Sequence, residues 1–529
     1  MASIILFYGT FVDLPRIKSG GNHELSINHG ALWVSPSSGR IVGFDWGISS
    51  EAELQSLIQE NGWVGVRIVR AREDQNEFFF PGFIDTHIHA PQYPNSGLFG
   101  SSTLLDWLET YTFPLESSMG NIPKADNVYN TVISRTLANG TTFAAYYATI
   151  HVNATNLLAT LCHSRGQRAL IGRVCMDNPS FCPSYYRDES AESSTSATKE
   201  TIAHIQALDP EGTLIQPIIT PRFAPTCSSA SLSSLGALAA SHKPPLHIQT
   251  HISENTDECA LVNSLFPDSP SYAAVYNASA LLTPRTILAH AVHLSPAEQH
   301  LIASRNSKVS HCPASNSALG SGLAPVRDLL DAGITVGLGT DVSGGYSASV
   351  LEAVRQACLV SRLRRHTTTT SNTSSKTEND SKEGREVLSV EESLYLATRG
   401  GAAVVDMAAD LGGFEKGMFW DAQLIRLGAA GSTERDMERS ESVVDVFGWE
   451  SWIERVHKWV WTGDDRNVRR VWVGGVLVHS LDDAVDYNGK GREFGFGVGT
   501  RDDWVRWVSG GVGIAALGWV LGRRGLRMF

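Results

Sequence analysis

The stretch FPGFIDTHIHAPQYPNSG, residues 80–97, decides the fold of this chain. Its apolar run ends in two histidines, His87 and His89, with one residue between them. Because side chains at positions i and i+2 of an extended strand point the same way, both imidazoles leave one face of the strand. Such a pair supplies half of the ligands of a four-coordinate metal site. Taken alone, the pair fits two unrelated surface histidines equally well, so the rest of the chain has to decide.

Three later runs of strand-like residues also lead to a side chain that can bind a metal. They are PLHIQTHISEN (245–255), TILAHAVHLS (286–295) and ITVGLGTDVSGG (334–345), and they reach His251, His290 and Asp341. Glu254 follows the first of these side chains by three residues. In each run a polar residue stands between an apolar segment and a turn, so the pattern predicts polar groups at strand ends.

Strand-like and helix-like segments alternate through the middle of the chain. Further strands are predicted at 141–147, 168–176, 213–219 and 308–312, and helices at 126–139 and 227–241. Together with the four runs above, they predict an α/β fold whose eight strands close into a (β/α)8 TIM-like barrel. In that fold the carboxyl ends of the strands face one site, so residues distant in sequence become neighbours.

Both ends of the chain carry short β-like runs outside this barrel segment, which spans 81–411. Residues 1–80 contain SIILFYGTFV and GVRIVR, and residues 412–480 contain FWDAQLIRL and NVRRVWVGGVLVHS. The residues alone are compatible with two unrelated β appendages. A C-terminal extension, 481–529, follows them.

Composition excludes several classes of protein. The chain has 529 residues with 42% hydrophobic content, enough for a large core and more than one domain. A net charge of −12 argues against a nucleic-acid partner, which would require a basic surface. The seven cysteines are scattered without a CxxC motif, which indicates reduced thiols rather than a disulfide framework. With no signal-like N-terminal segment, this predicts a cytoplasmic protein.

Two segments differ from the rest. Residues 366–386 contain no aliphatic or aromatic side chain and are predicted to be a disordered surface insertion. The extension contains a 16-residue uncharged run, Trp507 to Gly522, followed by two arginines. A membrane-spanning helix needs about 20 apolar residues. Residues 504–524 are therefore predicted to form a helix that docks on a surface or a protein partner, with membrane tethering as the alternative.

The motifs together resemble the amidohydrolase superfamily of metal-dependent hydrolases and, more narrowly, its branch that deaminates guanine. The matching motifs are PGFIDTHIHAPQY (81–93), LANGTTFAAYYATIH (137–151), GQRALIGRVCMD (166–177), ITPRF (219–223), LHIQTHISEN (246–255), HCPASN (311–316), GLGTDVSGGYS (337–347) and TGDDRNVRRVWVGG (462–475). The resemblance covers about residues 1–480. It implies that the two chain ends pair into one small β-sandwich beside the barrel.

The resemblance also implies a cofactor and a division of labour among the site residues. It assigns one Zn²⁺ per chain to His87, His89, His251 and Asp341. The zinc lowers the pKa of a bound water, and Asp341 also accepts the proton of that water. Glu254 is expected to shuttle a proton, and His290 to stabilise developing charge.

The substrate implied by the resemblance is a small purine base, guanine, which would become xanthine and ammonia. Gln92, Arg222 and Phe223 are expected to face it. Gln92 offers both a donor and an acceptor, Arg222 a donor fork for the carbonyl oxygen O6, and Phe223 a stacking surface. His251, Glu254 and Asp341 are expected to contact the base as well. From the residues alone, the alternative role for Arg222 is a structural ion pair under the barrel rim.

Two other functions stay open at this point. An amidohydrolase acting on a pterin, cytosine or a triazine would keep the metal-binding residues and change Gln92 or Arg222-Phe223. A non-catalytic scaffold on the same fold would be expected to lose metal-binding residues first, whereas all four are present. By analogy with enzymes of this kind, a homodimer is expected.

Overall fold

A computed structural model describes residues 4–16, 23–370, 385–431 and 442–482, the side chains of 368–370 excepted. The helices are α1 (Glu51–Glu60), α2 (Leu104–Trp107), α3 (Phe113–Ser117), α4 (Ile122–Ala138), α5 (Val152–Arg165), α6 (Ala191–Leu208), α7 (Ser229–Ala240), α8 (Thr256–Leu265), α9 (Tyr272–Ala278), α10 (Pro296–Ser304), α11 (Pro313–Ala318), α12 (Val326–Asp331), α13 (Val350–Thr370), α14 (Val390–Tyr395), α15 (Gly401–Val404) and α16 (Trp452–Thr462). The strands are β1 (Ile5–Asp13), β2 (Ser26–Val34), β3 (Ile41–Asp45), β4 (Arg67–Arg70), β5 (Glu77–Pro81), β6 (Phe83–His89), β7 (Thr141–Tyr147), β8 (Arg168–Gly172), β9 (Val174–Cys175), β10 (Ile215–Pro221), β11 (His247–Ile252), β12 (Thr286–His290), β13 (Lys308–His311), β14 (Val336–Leu338), β15 (Ala422–Arg426), β16 (Val468–Val473) and β17 (Val476–Ser480).

Eight parallel strands form the barrel, in the order β6-β7-β8-β10-β11-β12-β13-β14. Every residue of β6 and β7 is buried, as expected of strands covered by helices outside and packed side chains inside. All eight predicted barrel strands are confirmed. The predicted strand 168–176 is interrupted at Arg173, whose buried guanidinium pairs with Asp188 in a loop, and the short β9 resumes pairing with β10 beyond it.

The barrel closes where its first and last strands meet. The backbone N–H of Asp341 donates to the carbonyl oxygen of His87 at 2.9 Å, and the N–H of His89 donates to the carbonyl of Val342 at 3.1 Å. Thr86 Oγ1 donates to the Leu338 carbonyl at 2.9 Å. We call this contact the β6–β14 seam. It places the two histidines of β6 directly beside the aspartate that follows β14.

The two ends of the chain build one small domain, as predicted. Its eight strands form a single sheet of order β17-β16-β15-β5-β1-β2-β3. Strand β4 pairs with the first half of β1, on the same edge where β5 pairs further along. The N-terminal and C-terminal halves join where β5 pairs antiparallel with β15, for example Phe80 with Gln423. Phe7 of β1 lies 4.2 Å from Trp420 and 5.4 Å from Trp472, centroid to centroid, so the sheet curls around an aromatic core.

The second chain end also contains a helix that we did not predict. Helix α16 begins at a capping box, in which Ser451 Oγ accepts from the Glu454 N–H and Glu454 Oε2 accepts from the Ser451 N–H at 2.8 Å. Its buried residues, Val456, Trp459 and Val460, belong to the same core cluster as residues of α13. The segment 412–480 is therefore not purely β.

Two predictions concern segments that are only partly described. Helix α13 continues to Thr370, so the prediction of disorder is wrong for residues 366–370, because they extend an established helix. Residues 371–384 and the apolar run of the extension lie outside the described residues. Within the described ranges, no helix is long and apolar enough to cross a membrane. The homodimer stays a prediction.

Candidate active site

Four buried side chains converge at the carboxyl ends of the barrel strands: His87, His89, His251 and Asp341. Each contributes one ligand-type atom, and these four atoms lie within 4.8 Å of one another. Asp341 Oδ1 lies 3.1 Å from His87 Nε2 and 3.4 Å from His89 Nε2, and His89 Nε2 lies 3.1 Å from His251 Nε2. The structure thus brings together all four predicted metal-binding residues.

These distances fit ligand atoms that share a single cation. Nitrogen and oxygen ligands lie about 2.0–2.2 Å from a zinc ion, so neighbouring ligand atoms of one ion stand roughly 3 Å apart. The ring atoms His87 Nε2 and His89 Nδ1 are buried and have no hydrogen-bond partner among the described residues. A cation bound among the four side chains would provide His87 Nε2 with a partner.

The protonation states fit as well. His251 Nδ1 donates to the Arg222 carbonyl oxygen at 2.6 Å, so its Nε2 carries a lone pair directed into the cluster. Burial lowers the pKa of His87, His89 and His251 and keeps these rings neutral, as metal ligands must be. Burial alone would raise the pKa of Asp341, but the surrounding histidines outweigh it and hold this pKa below its usual range.

The backbone at the site adopts conformations that most residues avoid. His290 has φ 75° and Asp341 has φ 48°, both in the left-handed region. Ser253, between His251 and Glu254, has φ 48°. Strain of this kind persists where the surrounding structure imposes it, and it is concentrated at functional sites.

Gly339 leaves the space that one of these side chains needs. A Cβ atom at this position would stand 2.8 Å from the Cβ of His87 and 2.7 Å from Ser310 Oγ. The sequence between β14 and Asp341 therefore requires glycine for a steric reason.

Replacing Gly339 with alanine is expected to displace His87 and weaken metal binding by about 10-fold or more, the range seen when ligand support is lost. Titration of the metal-depleted protein with zinc in a competing chelator measures this. Gly47→Ala is the control, because its Cβ would meet only an exposed carboxylate oxygen at 3.2 Å. Equal zinc affinity in the two variants would contradict the steric role of Gly339.

Glu254 and His290 lie beside the cluster. Glu254 Oε2 is 3.3 Å from His290 Nε2, and its Oε1 accepts from Ser321 Oγ at 3.0 Å. Burial raises the pKa of Glu254 to about 7. Burial alone would lower the pKa of His290, but the carboxylates of Glu254 and Asp341 outweigh it and raise this pKa above its ordinary value.

Glu254 does not serve as a helix cap, although its position before α8 would allow that role. The N-cap of α8 is Asn255, and the capping carboxylate is Glu258, whose Oε2 accepts from the backbone N–H groups of Glu254 and Asn255. The Glu254 carboxyl group is therefore free to face the pocket, which it lines.

A pocket lies beside the cluster, with about 360 Å³ of empty space that is partly open to solvent. Gln92, Arg222 and Phe223 line it together with Glu254, His290 and Asp341. Their contact with a substrate stays a prediction. Leu104, Trp107 and Leu108 form an apolar wall on the segment between β6 and α4. The mixture of apolar walls and a few fixed polar groups is typical of a small-molecule site.

Sequence reasoning missed one buried group next to this pocket. Glu116 of α3 is fully buried, and its Oε2 lies 2.6 Å from Arg222 Nη1. The structural ion pair that the sequence left open for Arg222 therefore exists, and it exists at the pocket rather than away from it. A single glutamate between Leu115 and two serines in the aromatic segment YTFPLESSM (111–119) was the available signal.

A second group of potential ligands, His87, His290 and Cys312, overlaps with the first at His87. Burial raises the pKa of the Cys312 thiol, which disfavours the thiolate that metals bind. His151 and His293 contact backbone carbonyls of Ser117 and Ser321 and belong to neither group. The four-residue cluster is the better cation site.

Comparison with known proteins places this geometry in context. The model of the amidohydrolase family matches residues 78–478. The chain is 51% identical over 481 residues to the "Probable guanine deaminase" of Schizosaccharomyces pombe, covering 90% of this chain and 84% of that protein. It is 39% identical to the guanine deaminase of Rattus norvegicus, covering 91% and 98%. The crystal structure of a guanine deaminase from C. acetobutylicum with guanine in its active site superimposes with a TM-score of 0.74 at 30% identity, over 90% of this chain and all of that one.

Proposed function

The chain belongs to the amidohydrolase family, and we propose that it hydrolyses guanine to xanthine and ammonia. The observation that carries the proposal is the four-residue cluster opening into a pocket lined by Gln92, Arg222 and Phe223. The relatives named above, which cover most of the chain, support the choice of substrate.

The proposed metal is one zinc ion held by His87, His89, His251 and Asp341. Three neutral imidazoles and one carboxylate form a donor set that suits zinc. When bound, the ion lowers the pKa of water and supplies a nucleophile at neutral pH. Asp341, ionised by its histidine neighbours, can accept the proton that the attacking water gives up.

Glu254 is the proposed proton carrier. A group with a pKa of about 7 both takes and releases protons readily at neutral pH. During addition of water at C2, Glu254 delivers its proton to the ring nitrogen N3 and then passes to the exocyclic nitrogen the proton that Asp341 took from the water. The bond between C2 and the exocyclic nitrogen breaks and ammonia leaves, and the hydroxyl proton of the intermediate returns to Glu254 as the C2 carbonyl forms. His290, 3.3 Å away, stabilises negative charge that develops near C2.

Recognition of the base is assigned to Gln92, Arg222 and Phe223. Arg222 donates to the carbonyl oxygen O6, and Gln92 offers a donor and an acceptor to the purine edge. Phe223 is buried in the pocket wall, with its ring centroid 6.3 Å from that of His251. Adenine carries an amine in place of O6 and so leaves Arg222 without an acceptor. A site built from fixed hydrogen-bonding groups discriminates against such an analogue.

Ammonia release with guanine, adenine, cytosine and pterin offered separately tests the proposal. We expect turnover of guanine and at least about 100-fold lower kcat/KM for the other three. A preference for cytosine or pterin would assign the protein to another heterocycle. Zinc-loaded protein that releases no ammonia from any of them would favour the scaffold alternative.

A further inference from the structure

Glu116 occupies an unusual position for a charged residue. It is fully buried in the short helix α3, on the segment that leaves the barrel after β6 and returns with α4. The same segment supplies the apolar wall of the pocket through Leu104, Trp107 and Leu108. Buried carboxylates are retained only where their hydrogen-bonding capacity is met.

Three side chains meet this requirement, and two of them line the pocket. Glu116 Oε1 accepts from Gln92 Nε2 at 2.7 Å. Its Oε2 accepts from Arg222 Nη1 at 2.6 Å and from the Tyr186 hydroxyl at 2.7 Å. Within the described residues, Glu116 is the one carboxylate within 4.0 Å of the Arg222 guanidinium.

We propose that Glu116 is a positioning residue that fixes the orientations of Gln92 and Arg222 and thereby sets the preference for a purine with a carbonyl at C6. The proposal deepens the function proposed above and rests on it. Glu116 acts through the two residues that read the base and is not itself placed against the substrate.

The amide of Gln92 shows how such fixing works. A glutamine can present its oxygen and nitrogen in two arrangements related by a half-turn. Here the Ser343 N–H donates to Gln92 Oε1 at 3.2 Å, while Gln92 Nε2 donates to Glu116. Only one arrangement satisfies both neighbours, so the remaining N–H and lone pair have a defined direction.

The guanidinium of Arg222 is fixed in the same way. Arg222 is 2% exposed, so its charge requires a local partner. Glu116 holds one terminal nitrogen through a charge-assisted bond and leaves the rest of the donor fork for other acceptors. The carboxylate also balances the charge of Arg222, which suits recognition of a neutral base through a hydrogen bond rather than through net charge.

The test compares guanine with 2-aminopurine, which keeps the C2 amine and has hydrogen in place of O6. In Glu116→Gln, we expect kcat/KM for guanine to fall about 30-fold, mainly through KM. The inhibition constant of 2-aminopurine should change by less than about 3-fold, because this ligand makes no bond to Arg222 through O6. Zinc content should stay at the wild-type level.

Asp421→Asn is the matched control, because Asp421 also pairs with a buried arginine, Arg168, but at the start of β8 and outside the pocket. It is expected to lower the melting temperature without changing the ratio of the guanine KM to the 2-aminopurine inhibition constant. If Glu116→Gln is insoluble, Glu116→Asp decides: it keeps the charge, but it is one methylene shorter and cannot span both partners.

Equal losses for the two ligands in Glu116→Gln, or in Glu116→Asp where that variant decides, would make Glu116 a structural residue and overturn the proposal. That result leaves the proposed function standing as long as the wild-type protein deaminates guanine. A wild-type protein inactive on guanine would remove both.

Discussion

The His89→Ala variant is expected to lose the proposed zinc ion and guanine deaminase activity together. His89 Nε2 lies 3.4 Å from Asp341 Oδ1 and 3.1 Å from His251 Nε2, so it is in direct reach of two other ligand atoms of the cluster. Alanine leaves two imidazoles and the Asp341 carboxylate as ligands and opens a gap on one side. We expect less than about 0.1 zinc per chain and a fall in kcat of at least about 10⁴-fold, since the nucleophile depends on the metal.

Elemental analysis and ammonia release on the same preparation measure this result. His300→Ala is the control, because His300 is exposed on α10 and should keep both properties. Full activity in protein shown to be free of metal would refute the metal-dependent chemistry as a whole.

The Glu254→Gln variant is expected to keep its zinc and lose about 1000-fold in kcat, within the range for a general acid and base. Glutamine has the same shape, so the contact with Ser321 can persist, but it cannot take up a proton at neutral pH. The raised pKa of about 7 belongs to a carboxyl group that changes protonation state easily near that pH. Steady-state kinetics at saturating guanine, with zinc content measured in parallel, give the answer.

Glu298→Gln provides the comparison for that experiment. Glu298 is also a buried carboxylate, and it accepts from the N–H of Ser295 in the capping box of α10. Removal of this carboxylate should lower the free energy of unfolding by about 1 kcal/mol and leave kcat within about 3-fold of wild type. If both glutamine variants keep near-normal turnover, the proton carrier has to be sought among the other groups of the pocket.

The barrel and its metal-binding residues could be predicted from sequence because each signal is local. His87 and His89 end one strand, His251 ends another, and parallel strands carry these ends to a common face. The alternation of strands and helices along the chain then predicts a parallel barrel without any knowledge of interatomic distances.

Glu116 could not be predicted in the same way. Its role depends on three partners that lie 24, 70 and 106 residues away in sequence, and on a segment containing π-helical geometry at Leu108–Thr112. No periodicity encodes such a meeting point. Helix α16 is a different case, because the sequence contains its capping box, Ser451 with Glu454, but the β-like runs on both sides predict strands for 412–480.

The β6–β14 seam has a consequence for the order in which the protein matures. A chain still emerging from the ribosome, complete only to β13, already carries His87, His89 and His251 but not Asp341. Metal binding is coupled to folding, because the complete site exists only in the folded protein. Tight metal binding therefore requires that the last barrel strand has folded. An ion bound by His87, His89 and Asp341 would then connect the first and last strands, next to the backbone hydrogen bonds that Asp341 and His89 donate. It would stabilise the closed barrel against separation of these two strands.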